Sequence, residues 1–272
     1  MSTTDSPEST ENISEETTKA APPQENPIAN IALNVLLPVL ALSHLSKDPK
    51  FQPEEKFYHL GPMVGMLIAL ALPLGYGAWF LIKHRKLNFF SGLGIISVLL
   101  TGGLTLFLWK EDGSVDSSAP ILFGLKEASI PFVLGVAILA SHWTKTPLLN
   151  TFLYNDSIFD IKKIENVVDK KDQRASYRKL LLNCSIIFAA SFLVSTVLNF
   201  FLAQFFLSPD KVDYNAENAR DLYNGAVGKI TGWGFLVIGL PAMVFMISCF
   251  FYLIRGLRSL TGLENEEITL PR

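Results

Sequence analysis

The chain has 272 residues, a formal charge of −2 and 49% hydrophobic residues, and its mean hydropathy is +0.32. Charged residues make up only 18%, below the usual quarter, and they are gathered between apolar blocks instead of being spread periodically. This pattern excludes an ordinary soluble domain, and with no basic stripe among aromatics it gives no nucleic-acid partner.

Residues 1–27 hold six acids, one lysine and four prolines with no apolar run, so an acidic, disordered tail is expected. Six apolar blocks follow at about 28–45, 60–82, 89–109, 119–140, 180–207 and 230–254. A membrane-spanning helix needs about 20 apolar residues, and backbone groups in lipid must be satisfied within a segment. The fold expected is therefore all-α: a polytopic transmembrane helical bundle of six membrane helices over 28–254, embedded in the lipid bilayer. Residues 255–272 then form a tail. The first block is marginal, because it contains Asn30, Asn34 and Pro38.

Asn30 and Asn34 are four residues apart on one helical face, and Asn183 opens the fifth block at the same expected depth. These three form an expected inner polar cluster with cross-helix hydrogen bonds. Gly92, Gly94, Gly102 and Gly103 of the third block read as close-packing surfaces. The second, fourth and sixth blocks each carry a proline ahead of a basic or polar segment, a weak sign of three repeated hairpins.

The fourth block contains Lys126 and Glu127 side by side in apolar sequence. Lys126 falls about 10 Å below the outer end of its helix, within reach of a snorkelling lysine. Adjacent residues are about 100° apart around a helix, so separate partners are expected for the two charges. Thr101 and Thr105 on the third helix and Asn199 and Gln204 on the fifth lie at similar depth. Together the six make a candidate intramembrane polar site, since charges inside a membrane span mark function by default. The plainer alternative is a snorkelling lysine beside a protonated glutamate.

Between the fourth and fifth blocks, residues 141–179 contain Thr146 before Pro147, a helix-start signal. Leu149, Phe152 and Leu153 then share one helical face. That stripe fits a cytoplasmic amphipathic segment that lies on the membrane surface or meets a partner, or one that packs under the bundle. Cys184 and Cys249 both lie in apolar blocks and read as small packing residues.

Lysine and arginine counts set the orientation. The tail, 83–86, 141–179 and the C-terminal segment together carry fifteen, and the three opposite connections carry seven. Both termini are expected inside.

"TGGLTLFLWKED" (101–112), Lys126, "TKTPLLNTFL" (144–153) and "LLLNCSIIFAASFLVSTVLNFFLAQFF" (180–206) occur in this order. This succession resembles the bacterial intracellular septation protein A family and its six-helix relatives. The matching positions are Gly102, Gly103, Asp112, Lys126, Pro147, Leu148, Asn183 and Asn199. The resemblance covers about half the chain. Glu127 stands where the family typically has proline, the turn between the third and fourth helices is longer, and the acidic tail and last helix pair are extra. The resemblance implies a multi-pass protein of the bacterial inner membrane, acting in envelope maintenance or septation with envelope or division proteins as partners.

No His-x-x-x-His, Cys-x-x-Cys, Gly-x-Ser-x-Gly or phosphate-binding loop is present. No catalytic residue, metal or cofactor is therefore expected. Two readings remain: a non-enzymatic envelope organiser acting through the inner stripe, and a transporter or channel using the polar cluster of the third, fourth and fifth helices.

Overall fold

The computed structural model describes residues 32–52, 56–84, 89–144 and 147–270, without side chains at 34, 35, 80, 84 and 89–95. The expected acidic tail, Asn30, the Asn34 side chain, Gly92 and Gly94 lie outside what is described. Among the described residues the fold is all-helical, and the β-type contacts are two isolated bridges.

Helix α1 comprises an α-helical turn, Leu37–Leu40, between two π-helical turns, Ala32–Leu36 and Ala41–Leu45. Pro38 supplies no N–H to the carbonyl four residues back, and wider turns are one way a helix absorbs that loss. Helix α2 is Pro62–His84, α3 Phe89–Leu108, α4 Ala119–Ser141, α5 Leu148–Phe152 and α6 Ile161–Lys170. Helices α7 (Arg174–Phe206), α8 (Ala219–Val237), α9 (Gly239–Thr261) and α10 (Asn265–Ile268) complete the chain.

Four helical stretches are long and apolar enough to cross a membrane: Pro62–Lys83, Ala119–Ser141, Arg174–Phe206 and Ala219–Thr261. The last passes through the break between α8 and α9. These four are counted among the described residues; the other two expected spans lie partly outside them, with α1 described from Ala32 and the side chains of α3 from Ile96. Exposed Leu99, Phe107, Val133, Phe201, Leu236 and Val244 form the apolar exterior that a lipid solvent allows.

With lipid outside, the bundle depends on close packing rather than on a hydrophobic drive between helices. Helices α4 and α7 lie against each other along most of their length. Gly124 faces Phe200 and Gly135 faces Ala189, where an added Cβ would come within 3.3 Å of the Ala189 carbonyl, so the pair runs antiparallel in tight register. Gly102 on α3 admits Leu70 of α2 in the same way, as expected, whereas nothing lies within 4 Å of a Cβ at Gly103.

Three connections gather at one end. Leu60 N–H returns to the Leu45 carbonyl at 2.9 Å, and Asp48 N–H donates to Asp221 Oδ2 on α8 at 2.6 Å. Val115 N–H meets the Tyr214 carbonyl at 3.0 Å, and Arg220 donates to the Lys110 carbonyl. In the turn before α4, hydrogen bonds from Ser114 hold the Asp112 carboxyl below its ordinary value. Ser118 and, more weakly, Lys110 do the same for Asp116.

The sequence reading placed 208–229 in an outer connection. The structure corrects this: α8 begins at Ala219, and Ala219, Tyr223, Asn224, Val227 and Ile230 are buried, with Asn224 Nδ2 donating to the Pro62 carbonyl at 2.9 Å.

At the opposite end, α5, α6, the first turns of α7 and the chain after α9 build a second core. Phe159 bridges to Thr269, Asp160 N–H donates to the Ile268 carbonyl at 2.9 Å, and Lys163 pairs with Glu267 at 3.0 Å. Leu149, Leu153, Ile164, Val168, Leu257 and Ile268 are buried together there.

Candidate intramembrane polar site

Lys126 leaves α4 toward α3. Its Nζ donates to Thr101 Oγ1 at 2.5 Å, pairs with Glu127 Oε1 at 2.7 Å and stands 5.4 Å from the centre of the Phe123 ring. Thr101 spends its own proton on the Ser97 carbonyl at 2.9 Å, which leaves its oxygen free to accept from the ammonium. The Lys126 side chain is 9% exposed and that of Glu127 26%, so the ammonium is nearly enclosed while the carboxylate side is partly open.

The expectation that the two charges need separate partners is corrected. The 100° rule describes where the Cβ atoms point, and the four methylenes of lysine are long enough to bring its ammonium round to the neighbouring carboxylate.

The pair opens into a cleft of about 460 Å³ whose walls come from six of the helices and from the α8–α9 break. Asn199 lines the cleft but gives its Nδ2 to the Ser195 carbonyl of its own helix, at 2.8 Å. Two helix irregularities border the same space, the π-helical turns around Pro38 in α1 and the Ile238–Gly239 break just ahead of Pro241, and Pro73 lines it from within the unbroken α2. Each proline lacks the N–H that would serve the carbonyl four residues earlier. Irregular backbone at membrane depth is tolerated where it lines a cavity.

Thr105 and Gln204 stand apart from this contact. Thr105 Oγ1 lies 3.3 Å from the Tyr223 hydroxyl, and the Tyr223 ring meets Phe123 edge-on at 6.4 Å. Tyr223, fully buried, therefore supports the Phe123 ring that flanks Lys126. It was missed because its segment was read as a connection. Gln204 packs beside Gly124, and its Nε2 is buried without a hydrogen-bond partner among the described residues.

Of the expected inner cluster only the Asn183 side chain is described. Asn183 does make a cross-helix bond, Nδ2 to the Tyr252 hydroxyl at 2.9 Å, but the partner helix is α9. The stripe of Leu149, Phe152 and Leu153 is not a free surface. Leu149 and Leu153 are 1% and 5% exposed, and the Phe152 ring packs 5.6 Å from Phe188. Its apolar face is covered by the chain's own α4 and α7. Cys184 and Cys249 are free, buried and adjacent, with the Cys249 thiol 3.4 Å from the Cys184 carbonyl.

Among the described residues no group of three His, Cys, Asp or Glu side chains could hold a metal. In comparisons with family models, curated proteins and solved structures the chain matches none, so the resemblance to septation protein A rests on the quoted motifs alone.

Proposed function

We propose that the chain is a multi-pass, non-enzymatic transport protein of the bacterial inner membrane, and that a small charged or zwitterionic solute passes through the cleft at Lys126 and Glu127. The observation that carries this reading is the 2.7 Å ion pair facing a cleft of about 460 Å³ bordered by the irregular turns of α1 and the α8–α9 break. The pair is neutral as a unit, which lowers the cost of holding both charges at this depth. A solute carboxylate can replace Glu127 on the Lys126 ammonium, and a solute ammonium can replace Lys126 on Glu127. A zwitterionic solute makes both exchanges at once and leaves the cleft neutral, and the apolar side chains around it set the size of the guest.

The orientation we propose has six membrane passages, α1 and α3 included, with both termini inside. The gathering of 46–52, 109–118 and 207–218 at one end and the excess of lysine and arginine at the other support it. The envelope-organising reading keeps the family resemblance as its support, but its proposed stripe lies inside the protein's own core. A cell-based solute screen tests the transport reading. Cells making the native chain should accumulate at least one labelled amino acid, carboxylate or amine that cells making Lys126→Met do not. Equal accumulation of every solute by native, variant and empty cells overturns it. Cysteine labelling of a variant lacking Cys184 and Cys249 tests the orientation: position 215 should react from outside and position 165 from inside, and the reverse pattern contradicts it.

A further inference from the structure

The end of α9 carries a second site, independent of the cleft. Residues 230–254 contain no charge, and Arg255 is the first charge after them. Arg258 follows one turn later on the same side of the helix. Both line a groove of about 810 Å³ with Phe251, Ile254 and Leu263 as its apolar wall. Gly262, at φ +71°, turns the chain so that Leu263 and Asn265 come back across this groove.

At this end Lys163 pairs with Glu267, Arg174 with Asp169, and Lys171 donates to the Thr261 carbonyl at 2.6 Å; Lys162, Lys170, Arg178 and Lys179 lie outside the groove. Among the described residues neither Arg255 nor Arg258 has an ion-pair or hydrogen-bond partner. The one carboxylate among the groove residues, Glu264, makes no ion pair with either arginine among the described residues, and its N–H donates to Glu267 Oε2 at 3.1 Å. Lys171 already offsets a terminal carbonyl of α9, so the two guanidinium groups are left facing an open space.

We propose that this groove holds the headgroup phosphate of an anionic phospholipid from the surrounding leaflet. The guanidinium fork matches phosphate oxygens with paired, charge-assisted hydrogen bonds. Arg255 stands where an apolar run ends, which is headgroup level for a spanning helix, and basic pockets at that level recognise anionic lipid. Phe251 and Ile254 lie on the apolar side of Arg255, where the acyl chains of a lipid held by its phosphate would run. A soluble anion would leave that wall unused.

The test uses the full chain in non-ionic detergent, titrated with phosphatidylglycerol, phosphatidylcholine or inorganic phosphate, and reads thermal protection of the buried Cys184 and Cys249 thiols. Phosphatidylglycerol should protect best, and the Arg255→Gln/Arg258→Gln variant should need at least about ten-fold more of it. Lys162→Gln, an exposed charge removed at the same end outside the groove, should behave as native. Equal sensitivity of the double glutamine variant and Lys162→Gln overturns the site. Protection by inorganic phosphate or phosphatidylcholine equal to that by phosphatidylglycerol overturns the lipid assignment. If the glutamine variant does not fold, Arg255→Lys/Arg258→Lys keeps the charge without the fork. It should then show a reduced preference for phosphatidylglycerol over phosphatidylcholine, and an unchanged preference counts against guanidinium recognition.

Discussion

Replacing Leu149 by alanine separates a core residue from a docking residue. Leu149 is 1% exposed within a cluster that also holds Leu153, Ile164, Val168 and Leu257, in the part of the molecule beyond the apolar runs. Water is the reference there, so the lost methyl and methylene groups count at about 0.8 kcal/mol per carbon, with a further term for the hole left behind. Leu→Ala changes at such sites cost about 2–5 kcal/mol, and the packed neighbours leave little room for collapse. At about 2–4 °C per kcal/mol for a protein approaching this size, the unfolding midpoint should fall by roughly 5–10 °C. Cys184 and Cys249 are free, buried members of the same cluster and make a built-in reporter. A thiol-reactive dye should label them at a correspondingly lower temperature. Leu153→Ala should act similarly, and the double variant should lose less than the sum because the two side chains share neighbours. Trp143→Ala, an exposed side chain near the same end, is the control and should leave the midpoint within about 1 °C. If Leu149→Ala labels at the same temperature as Trp143→Ala, the cluster is not the core of this end.

The remaining predictions concern the end that gathers 46–52, 109–118 and 207–218, and the shell of the site. Gly65→Val should abolish folded protein in the membrane, because a Cβ there would lie 2.3 Å from the Ser46 Cα, whereas Gly103→Ala should be neutral. Size-exclusion profiles of the two variants distinguish them. Tyr223→Phe strips the buried Thr105 hydroxyl of its partner and should cost about 1–3 kcal/mol. Adding Thr105→Val should recover part of that, and a double-variant cycle with no coupling would contradict the contact. In the turn 109–118, Asp112 and Asp116 have lowered folded-state values, so their contribution is present above the unfolded carboxylate value of about 3.9. It is lost as pH falls through the lower folded values. Protection of the Ser114 and Ser118 amides, corrected for intrinsic exchange, should therefore decline only in strongly acidic solution; a decline beginning near neutrality would be inconsistent with these bonds.

Helices α2, α4 and α7 were legible because their apolar runs are long and carry few charges. The first half of the final passage was not. Ala219, Tyr223, Ala226, Val227 and Ile230 recur at helical spacing, but Arg220, Asp221 and Lys229 interrupt the run, and a search for apolar blocks stops at charges. Tyr223 was lost with that segment, although the four- and three-residue spacing around it carried the signal. At the site, depth along two antiparallel helices was enough to bring Thr101 to Lys126. Depth did not reveal the Lys126–Glu127 contact, which depends on the course of a flexible side chain, nor that Asn199 would turn back to its own helix. The stripe at Leu149, Phe152 and Leu153 shows the same boundary: periodicity identifies an apolar face, while what covers it is decided by residues such as Phe188 and Phe192 far along the chain.

The central claim is that Lys126 and Glu127 face a solute path and do not serve only to hold α3 and α4 together. Its most direct test is uptake into proteoliposomes of the purified chain, using the solute found in the cell screen, with native protein compared against Lys126→Met and Glu127→Gln at equal incorporation. The account predicts saturable uptake by the native chain and none above empty liposomes for either variant, with helical content retained in both. Native uptake rates in both variants would contradict it and make the ion pair a structural contact.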